Sequence, residues 1–462
     1  MQSKRNRNIN SKDLSKSFRY WVIAVFAIKL IIIINIPSGI LKLGDQNFLL
    51  GGIWLGADGE SYLRGYQSLK TEGLFSPNEI LTYWPAGYPL VIFFLSLLAQ
   101  GWVLPFLSIF QSAIFSLAVY MFAVQISRTR LKKFSYTVCL LILLNPTLSL
   151  SSIVVGYESL TASGFLMVVA IIVKDLIDKN NGSFFQNLLK VSTIVGVLTF
   201  MQPRLLVSGL SIIIFWVVKS KGIRISGIFI VASLIITLLL PSFLIYRNSK
   251  AVGIYSISTN LGSTMNIGAG DNATGGYMVK GFGVPCAMKG SEAEQDAQKV
   301  RCVIRWYLNN PGTSFTLFYK KTIYFWAPWV NNGFAGEVYT GTMNRNPWLK
   351  INPVIQIATS EDGAKLVGGT IGKAVSWIWL FGGLGLLIYG FLVLWSHNSL
   401  EKVIAKFALL VILVNWGISL MTIGDNRFRL PIMGFSLFLQ GVAMKTVVSG
   451  GRQKLVESPP LR

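Results

Sequence analysis

Two acidic residues lie beside apolar stretches in a chain that contains few acids. The sequence has 19 Asp and Glu residues against 42 Lys and Arg residues. Asp58, with Glu60 two positions later, follows the first long apolar run, and Glu158 lies between two later runs. Ionisable groups at a membrane edge are costly, so a functional role is the default interpretation. A carboxylate placed beside a bound sugar can act as a general base on an incoming hydroxyl.

Four arginines stand near the ends of apolar runs and are candidates for binding a phosphate. They are Arg204, Arg247, Arg427 and Arg429. A guanidinium group stays charged and fits phosphate oxygens with two parallel hydrogen bonds. Because a phosphate leaves as an anion that cations stabilise, one carboxylate with an arginine cluster is sufficient for inverting transfer of a sugar. The alternative is that each arginine anchors a helix end at the interface.

Several other kinds of site are excluded or reduced to structural roles. The single histidine, His397, falls in a predicted cytoplasmic turn, which excludes histidine-based acid–base catalysis on the opposite face. The sequence has no Cys/His metal spacing, Gly-rich phosphate loop, Ser-His-Asp set or dinucleotide fingerprint. Cys139 is predicted to be a core residue. Cys286 and Cys302 are predicted to form a disulfide in an oxidising exterior, with two free thiols as the alternative.

The composition is that of an integral membrane protein. Of 462 residues, 52% are hydrophobic, and the mean hydropathy is +0.55. The first apolar run has no small-residue cleavage site after it, so it is predicted to be a retained span. Runs long enough to cross a bilayer predict about ten spans. These are residues 19–36, 104–126, 134–153, 159–174, 188–201, 205–219, 225–246, 374–395, 403–422 and 429–446.

The net charge of +23 follows from basic clusters that all fall on one side of these spans. By the positive-inside bias that side is cytoplasmic, and both termini lie there. No basic run alternates with stacking aromatics, so no nucleic-acid partner is expected. The apolar segment 88–100 is too short to span and is predicted to be an interfacial or re-entrant helix. With this topology, both acids and the four arginines share the outer face.

The predicted fold is an all-α integral membrane protein with interfacial helices in the first outer loop and a small extracytoplasmic domain that is α/β or irregular. The predicted organisation is an N-terminal transmembrane module 1–246 with a catalytic loop 37–87, an outer domain 247–370, C-terminal helices 371–446 and a tail 447–462. Within the outer domain, Ser291 caps a predicted helix that ends at Asn310-Pro311. Residues 315–329 suit either a helix in the membrane interface or an amphipathic helix packed on the domain.

Lys29 is a further unusual residue, because it stands in the middle of the first span where a charge is expensive. It is expected to face the bundle interior or a watery cavity, or to pair with a carboxylate. It is the strongest feature in favour of an alternative function, a transporter or flippase of a lipid-linked or anionic substrate. A polysaccharide polymerase or ligase is a further alternative, since it would also use a lipid-linked donor and an outer loop.

Six motifs in order resemble the GT-C superfamily of polytopic glycosyltransferases, and are most similar to bacterial relatives of protein O-mannosyltransferases and aminoarabinose transferases. They cover most of residues 19–446. They are Ala57-Asp58-Gly59-Glu60-Ser61-Tyr62-Leu63; Trp84-Pro85-Ala86-Gly87-Tyr88-Pro89-Leu90; Asn145-Pro146 followed by Glu158-Ser159-Leu160; Gln202-Pro203-Arg204, with its arginine displaced; Tyr246-Arg247-Asn248 followed by Ser258-Thr259-Asn260 and Gly270–Gly275; and Arg427-Phe428-Arg429-Leu430-Pro431.

The resemblance implies a polyprenyl-phosphate-linked sugar donor and transfer on the extracytoplasmic face of a bacterial inner membrane. It implies that Asp58 is the catalytic base, with Glu60 as an alternative, and Tyr88 joins the arginines as a donor-binding candidate. Glu158 is expected to orient the acceptor, to hold a divalent metal with Asp58, or to cap its helix. Metal use stays open, and so does the acceptor, which can be a protein, a lipid or a glycan.

Overall fold

The computed structural model describes residues 11–36, 38–43, 46–55, 58–178, 181–276, 283–326, 359–360, 363–364, 369–396 and 400–449. The predictions for His397, for residues 327–329 and for most of the tail 447–462 fall outside these ranges. In the described part, the first half of the chain forms α1 Ser11–Asn35, β1 Gly39–Leu43, β2 Gln46–Leu50, β3 Trp54–Leu55, α2 Gly59–Glu72, α3 Ile80–Tyr83, α4 Gly87–Leu98, α5 Val103–Ser127, α6 Lys132–Leu144, α7 Pro146–Leu150, β4 Val154–Val155, α8 Glu158–Asp178, α9 Asn181–Met201, α10 Leu205–Lys221 and α11 Ile223–Val252.

The described residues of the second half form six α-helices and two short strands. Its elements are α12 Leu261–Ile267, α13 Glu292–Asn309, α14 Pro311–Trp326, β5 Thr359–Ser360, β6 Gly363–Ala364, α15 Gly369–Trp395, α16 Leu400–Met421 and α17 Met433–Val448. The described residues also contain two short 3-10 helices, at Ser151–Ile153 and Asn426–Ile432. Helices dominate because they satisfy their own backbone hydrogen bonds, as a segment in lipid must.

Seven helices of the described residues are long and apolar enough to cross a membrane, and the number becomes eight if one bent pair is a single span. This result confirms a helical membrane protein. Helical residues occupy each of the ten predicted ranges, but α10 has only 17 residues. In α15, the apolar stretch Leu380–Trp395 is also short.

The bent pair lies directly before Glu158 and consists of Lys132–Leu144 and Pro146–Ile153, with an angle of 55° between them. Asn145 and Pro146 cause the break. A proline has no N–H to donate within a helix, so it is tolerated at the first position of a new one. The side chain of Asn145 caps that new helix by accepting a hydrogen bond from the N–H of Leu148 at 2.9 Å.

The core of the bundle is formed by α5 and α8, which pack together, with α1 and α6 against α5 and α9 against α8. Large fully buried side chains such as Phe115, Phe122 and Phe165 fill it. By contrast, only 22% of the most apolar stretch of α11 is buried. Its exposed side chains include Ile228, which suits a lipid-facing helix.

The segment 88–100 forms α4, which has 12 residues and is too short to span a bilayer. It packs against the end of α9 at Gly87. A Cβ atom built at Gly87 would lie 1.9 Å from the carbonyl oxygen of Phe200, so only glycine permits this approach. The first outer loop also contains an antiparallel hairpin of β1 and β2, which the sequence analysis did not predict.

The segment between α11 and α15, which is predicted to lie outside the membrane and is called the outer segment below, has a small core of its own that α12, α13 and α14 share. Val303, Tyr307 and Leu317 are buried there, and a disulfide joins Cys286 to Cys302. Ser291 precedes α13, and its N–H donates to Glu294 Oε2 at 2.8 Å, while the helix ends at Asn309 as the proline signal predicts.

One lysine ties this outer core to the membrane bundle. Lys321 of α14 is fully buried and donates from Nζ to the carbonyl oxygens of Leu420 at 2.8 Å and Thr422 at 2.6 Å. Two residues later along the bundle, the N–H of Gly424 donates to the carbonyl oxygen of Gly275 at 2.9 Å. The outer segment therefore holds the turn that leads to Arg427.

Candidate active site

A short parallel pairing of β3 with β4 brings the two singled-out acids together. Trp54 pairs with Val154, and Leu55 pairs with Val155. Asp58 and Glu158 each stand three residues beyond the paired strand end, so equal offsets place them side by side. Asp58 is the residue before α2, and Glu158 is the first residue of α8. The positive end of a helix dipole favours a carboxylate at both positions.

Arg427 lies against both carboxylates. Its Nη1 is 2.8 Å from Asp58 Oδ2, and its Nε is 3.7 Å from Glu158 Oε1. The three side chains are mostly buried, with 19%, 19% and 12% exposed for Arg427, Asp58 and Glu158. Solvent screens partly buried charges far less than exposed ones, so this arrangement fixes the carboxylates more firmly than a surface ion pair would.

Gly156 allows the Glu158 carboxylate to fold back over its own turn. A Cβ atom built at Gly156 would lie 2.3 Å from Glu158 Oε2. Any side chain at this position would displace the carboxylate. The glycine is therefore part of how the local sequence Gly-Tyr-Glu positions the acid.

Aromatic rings form the wall beneath the acids. The ring of Tyr62 is 6.0 Å from that of Tyr157 and 5.1 Å from that of Tyr88 between centroids. The hydroxyl of Tyr157 accepts a hydrogen bond from Gln202 Nε2 at 2.7 Å. Burial raises the pKa of Tyr62, and the neighbouring Tyr157 and Asp58 raise it further. The Tyr62 hydroxyl therefore stays protonated next to the carboxylates.

Asp425 is a third acid at this site, and the sequence analysis missed it as a functional candidate. Its Oδ1 accepts the N–H of Arg427 at 2.9 Å, which caps the 3-10 helix that carries Arg427. Burial raises the pKa of Asp425, while the charge of Arg427 lowers it. The available signal was an Asp two residues before an arginine, which is a typical capping pattern.

Arg204 reaches the same region from the break between α9 and α10. Its guanidinium carbon stacks 3.8 Å from the centroid of Phe428. Its Nε and Nη2 atoms are buried and have no hydrogen-bond partner in the part of the chain that the structure describes. Burial lowers the pKa of Arg204, and the neighbouring Tyr157 partly offsets this decrease. A buried donor without a partner is costly and is a reason to expect a ligand there.

Arg247, predicted to bind phosphate, has a different position and role. It is fully buried, and its guanidinium donates to the carbonyl oxygens of Leu74 at 3.1 Å, of Leu81 at 3.4 Å and of Ser76. It also donates to the side chain of Asn248 at 2.8 Å. Because these bonds take most of its donors, Arg247 holds the first outer loop together and has little left for a phosphate.

Tyr88 is also placed differently from its prediction as a donor-binding residue. Its side chain is fully buried, and its hydroxyl accepts the N–H of Gly156 at 2.8 Å while donating to Gln111 Oε1 at 3.0 Å. Gln111 in turn donates to the carbonyl oxygens of Ser152 and Val154. Tyr88 thus fixes the turn that carries Glu158, and its role in binding the donor stays a prediction.

The remaining two candidates lie at the edge of the site. Glu60 points to the surface, where Oε1 pairs with Arg64 of the next helical turn at 2.5 Å, with about half of each side chain exposed. The structure therefore separates Glu60 from the acid pair. Arg429 donates from Nη1 to the carbonyl oxygen of Trp326 at 3.0 Å and lies over its ring at 5.5 Å. That contact ties the end of α14 to the site.

Lys29 lies behind the site and not in an open pathway. It is 1% exposed, donates to Ser152 Oγ at 3.0 Å and sits 4.1 Å from the ring centroid of Phe115. Ser152 also bonds to Ser112 Oγ at 3.0 Å. These contacts steady the 3-10 turn before β4, so Lys29 supports the strand that positions Glu158.

The residues present do not form a conventional metal site. Over the described ranges, no group of three or more His, Cys, Asp or Glu side chains is arranged to hold a metal ion. A divalent cation needs carboxylate oxygens within about 2.0–2.6 Å. Between Asp58 and Glu158 that place is taken by the guanidinium of Arg427.

Comparisons with known proteins give one structural match. No family model matches the chain, and no characterised protein matches it in sequence. The chain is similar to the solved structure of the archaeal oligosaccharyltransferase AglB from Archaeoglobus fulgidus in complex with an inhibitory peptide and a dolichol-phosphate, at 14% identity and a TM-score of 0.46. The match covers 93% of this chain and 51% of that one, so the chain spans about half the length of that protein.

Proposed function

We propose that this protein is a membrane glycosyltransferase that moves a sugar from a polyprenyl-phosphate-linked donor to an acceptor hydroxyl, with inversion. The observation that carries the proposal is the pair Asp58 and Glu158, joined through Arg427 at the N-terminal ends of α2 and of the candidate span α8. A lipid-linked donor suits that position because its tail lies in the bilayer and its charged head group lies at the interface.

Asp58 is the general base in this mechanism. Its Oδ2 is held by Arg427, which leaves Oδ1 to accept the proton of the acceptor hydroxyl. The acceptor oxygen then forms a bond to the anomeric carbon as the bond from that carbon to the phosphate oxygen breaks. The proton ends on Asp58, and the polyprenyl phosphate leaves with the electron pair of the broken bond.

Glu158 and Tyr62 orient the acceptor and the sugar. Glu158 stands beside Asp58, and its Oε1 lies 3.7 Å from Arg427 Nε, which is too long for a hydrogen bond, so Oε1 can accept one from a sugar or acceptor hydroxyl. The protonated hydroxyl of Tyr62 supplies a donor near both acids. Positioning of this kind contributes to catalysis by holding the reacting atoms in line.

Arg204 is the residue best suited to stabilise the leaving phosphate. Its buried Nε and Nη2 have no partner in the described part of the chain, and an incoming phosphate oxygen would satisfy both. Stabilisation is strongest when such donors are fixed before the charge develops. The stacking on Phe428 fixes the Arg204 guanidinium in this way.

The proposed setting is the extracytoplasmic face of a bacterial inner membrane, with both termini in the cytoplasm. The basic clusters of the sequence support this orientation through the positive-inside bias. The disulfide between Cys286 and Cys302 also supports an oxidising outer side for the segment that carries it. A transporter gains no support from Lys29, because its contacts are structural.

The test is turnover of defined donors in reconstituted vesicles. Purified protein would be given polyprenyl-phosphate sugars, with polyprenyl-diphosphate sugars as the matched control, and release of the free lipid phosphate would be measured. We expect release from the monophosphate donors. Movement of intact lipid-linked sugar between leaflets with no release from any donor would contradict the proposal and support a flippase.

A further inference from the structure

The cation between the two acids is a side chain of the protein itself. In metal-dependent sites, a divalent ion can neutralise and orient a pair of carboxylates. Here Arg427 contacts both acids, with Nη1 2.8 Å from Asp58 Oδ2 and Nε 3.7 Å from Glu158 Oε1. It therefore stands where a metal would have to bind both acids.

Arg427 is held in this place by its own backbone. Its N–H donates to Asp425 Oδ1 at 2.9 Å, and the N–H of the next residue, Phe428, donates to the carbonyl oxygen of Asp425 at 3.0 Å. The carbonyl oxygen of Phe428 accepts from Asn415 Nδ2 at 2.6 Å. The 3-10 helix that contains Arg427 also packs against α8, which begins with Glu158. These bonds fix the backbone from which the guanidinium reaches the two acids.

The charges of the site are nearly balanced without a metal. Asp58, Glu158 and Asp425 supply three carboxylates, and Arg204 and Arg427 supply two guanidinium groups. A divalent ion inserted between Asp58 and Glu158 would lie within a few ångströms of Arg427 and be repelled by it. The same position cannot hold both cations.

We propose that Arg427 is the resident cation of this site, filling the place of a divalent metal between Asp58 and Glu158, so that glycosyl transfer here is independent of metal. Only the effect of Arg427 on catalysis rests on the proposed function; its position between the two acids does not. Arg427 is a positioning residue, because it acts by orienting the two carboxylates. The same arrangement implies that removing its side chain uncovers a divalent-cation site between Asp58 and Glu158.

The first test is made on the unaltered protein and does not require turnover. Thermal unfolding in detergent would be measured after chelation and then with added Mn²⁺. We expect the same unfolding temperature in both conditions. A stabilisation by Mn²⁺ that disappears in Asp58→Asn would overturn the proposal, because it would show a metal bound at the acid pair despite Arg427.

The second test removes the resident cation. Arg427→Ala should be stabilised by Mn²⁺, and the double variant Arg427→Ala/Asp58→Asn should not, because the uncovered site lacks one carboxylate. Glu60→Gln is the matched control, since Glu60 is an exposed acid outside the site. It should respond to Mn²⁺ as the wild type does. If Arg427→Ala folds but Mn²⁺ does not raise its unfolding temperature, the proposal that Arg427 fills the place of a metal is contradicted.

Turnover supplies the third test and separates this proposal from the proposed function. Wild-type release of lipid phosphate should be insensitive to a chelator, whereas Arg427→Ala should lose about 100-fold or more of its rate. Mn²⁺ or free guanidinium should restore part of that rate. Chelator-sensitive wild-type turnover would overturn the metal-independent role while leaving glycosyl transfer intact. If Arg427→Ala does not fold, the wild-type measurements still decide.

Discussion

Four predicted phosphate-binding arginines have distinct environments, and the partners of each guanidinium distinguish them. Arg427 pairs with carboxylates, Arg247 donates to three backbone carbonyls, and Arg429 binds the carbonyl of Trp326. Arg204 stacks on a ring and has buried nitrogens without partners in the described chain. Only an arginine with unused donors can satisfy a new anion. Arg427 Nε also has no hydrogen-bond partner in the described chain, but the charge of Arg427 is already paired with Asp58, so Arg204 is the one expected to meet the phosphate.

Replacing Arg204 with methionine should therefore separate activity from stability. Removing an unpaired buried charge in favour of a similar apolar volume is often neutral or stabilising. We expect Arg204→Met to keep or raise the unfolding temperature while raising the apparent KM for the lipid-linked donor. A large drop in unfolding temperature, with an unchanged donor KM, would instead make Arg204 a structural residue.

The sequence indicated which residue types could do chemistry at this site, but it did not indicate which residues each arginine would contact. Each arginine stood at a helix end, where an anchoring role and a phosphate-binding role give the same pattern. The choice depends on contacts with distant residues, such as that of Arg247 with the backbone near residues 74–81. No local signal encodes such contacts. Asp425 stands two residues before Arg427 in the sequence, but its closeness to Asp58 arises only in three dimensions.

The elements that position the acids are short. A parallel pair of two-residue strands, β3 and β4, sets the offset that places Asp58 beside Glu158. Strands of this length have no detectable alternation, so hydrophobic periodicity cannot predict them. The long apolar helices, by contrast, produced a clear signal, and helical residues occupy all ten predicted ranges. The break at Asn145-Pro146 was included in a single span, although its proline and cap turn the chain by 55°.

Tyr88 shows how an element away from the reacting atoms can affect the site. Its hydroxyl joins the N–H of Gly156 to Gln111. In Tyr88→Phe, that buried N–H loses its partner, which costs about 1–3 kcal/mol. We expect a lower unfolding temperature and a lower kcat, with little change in the donor KM. A raised donor KM with unchanged kcat would indicate that Tyr88 touches the donor after all.

At the scale of the whole molecule, Lys321 joins the outer segment to the membrane bundle. It donates to the carbonyl oxygens of Leu420 and Thr422, just before the turn that carries Asp425 and Arg427. The outer segment therefore contributes to the site without supplying an acid. The sequence predicted an outer domain and its helix boundaries at Ser291 and Asn310, but not this buried lysine, because the basic residues of that segment look like surface charges.

The stability of this connection should depend on pH. Burial lowers the pKa of Lys321 from 10.5 to about 7, so the unfolded chain binds a proton more readily than the folded chain between those values. The folded state should therefore gain stability as pH rises from about 7 towards 10.5, and lose it as pH falls through about 7. The measurement is the unfolding temperature of wild type minus that of Lys321→Met, taken from pH 7 to pH 9.5. We expect this difference to increase with pH, and a constant difference would contradict the lowered pKa of Lys321.

The central claim is that Asp58, placed by β3 and held by Arg427, is the base for sugar transfer. The most direct test compares two acid-to-amide changes two residues apart, Asp58→Asn and Glu60→Gln, in vesicles that contain a polyprenyl-phosphate sugar and an acceptor. General-base catalysis contributes about 100- to 10,000-fold, so Asp58→Asn should lower the release of polyprenyl phosphate by that factor while the protein stays folded. Glu60→Gln should retain the wild-type rate. Equal rates for the two variants, or loss of activity only in Glu60→Gln, would contradict the account.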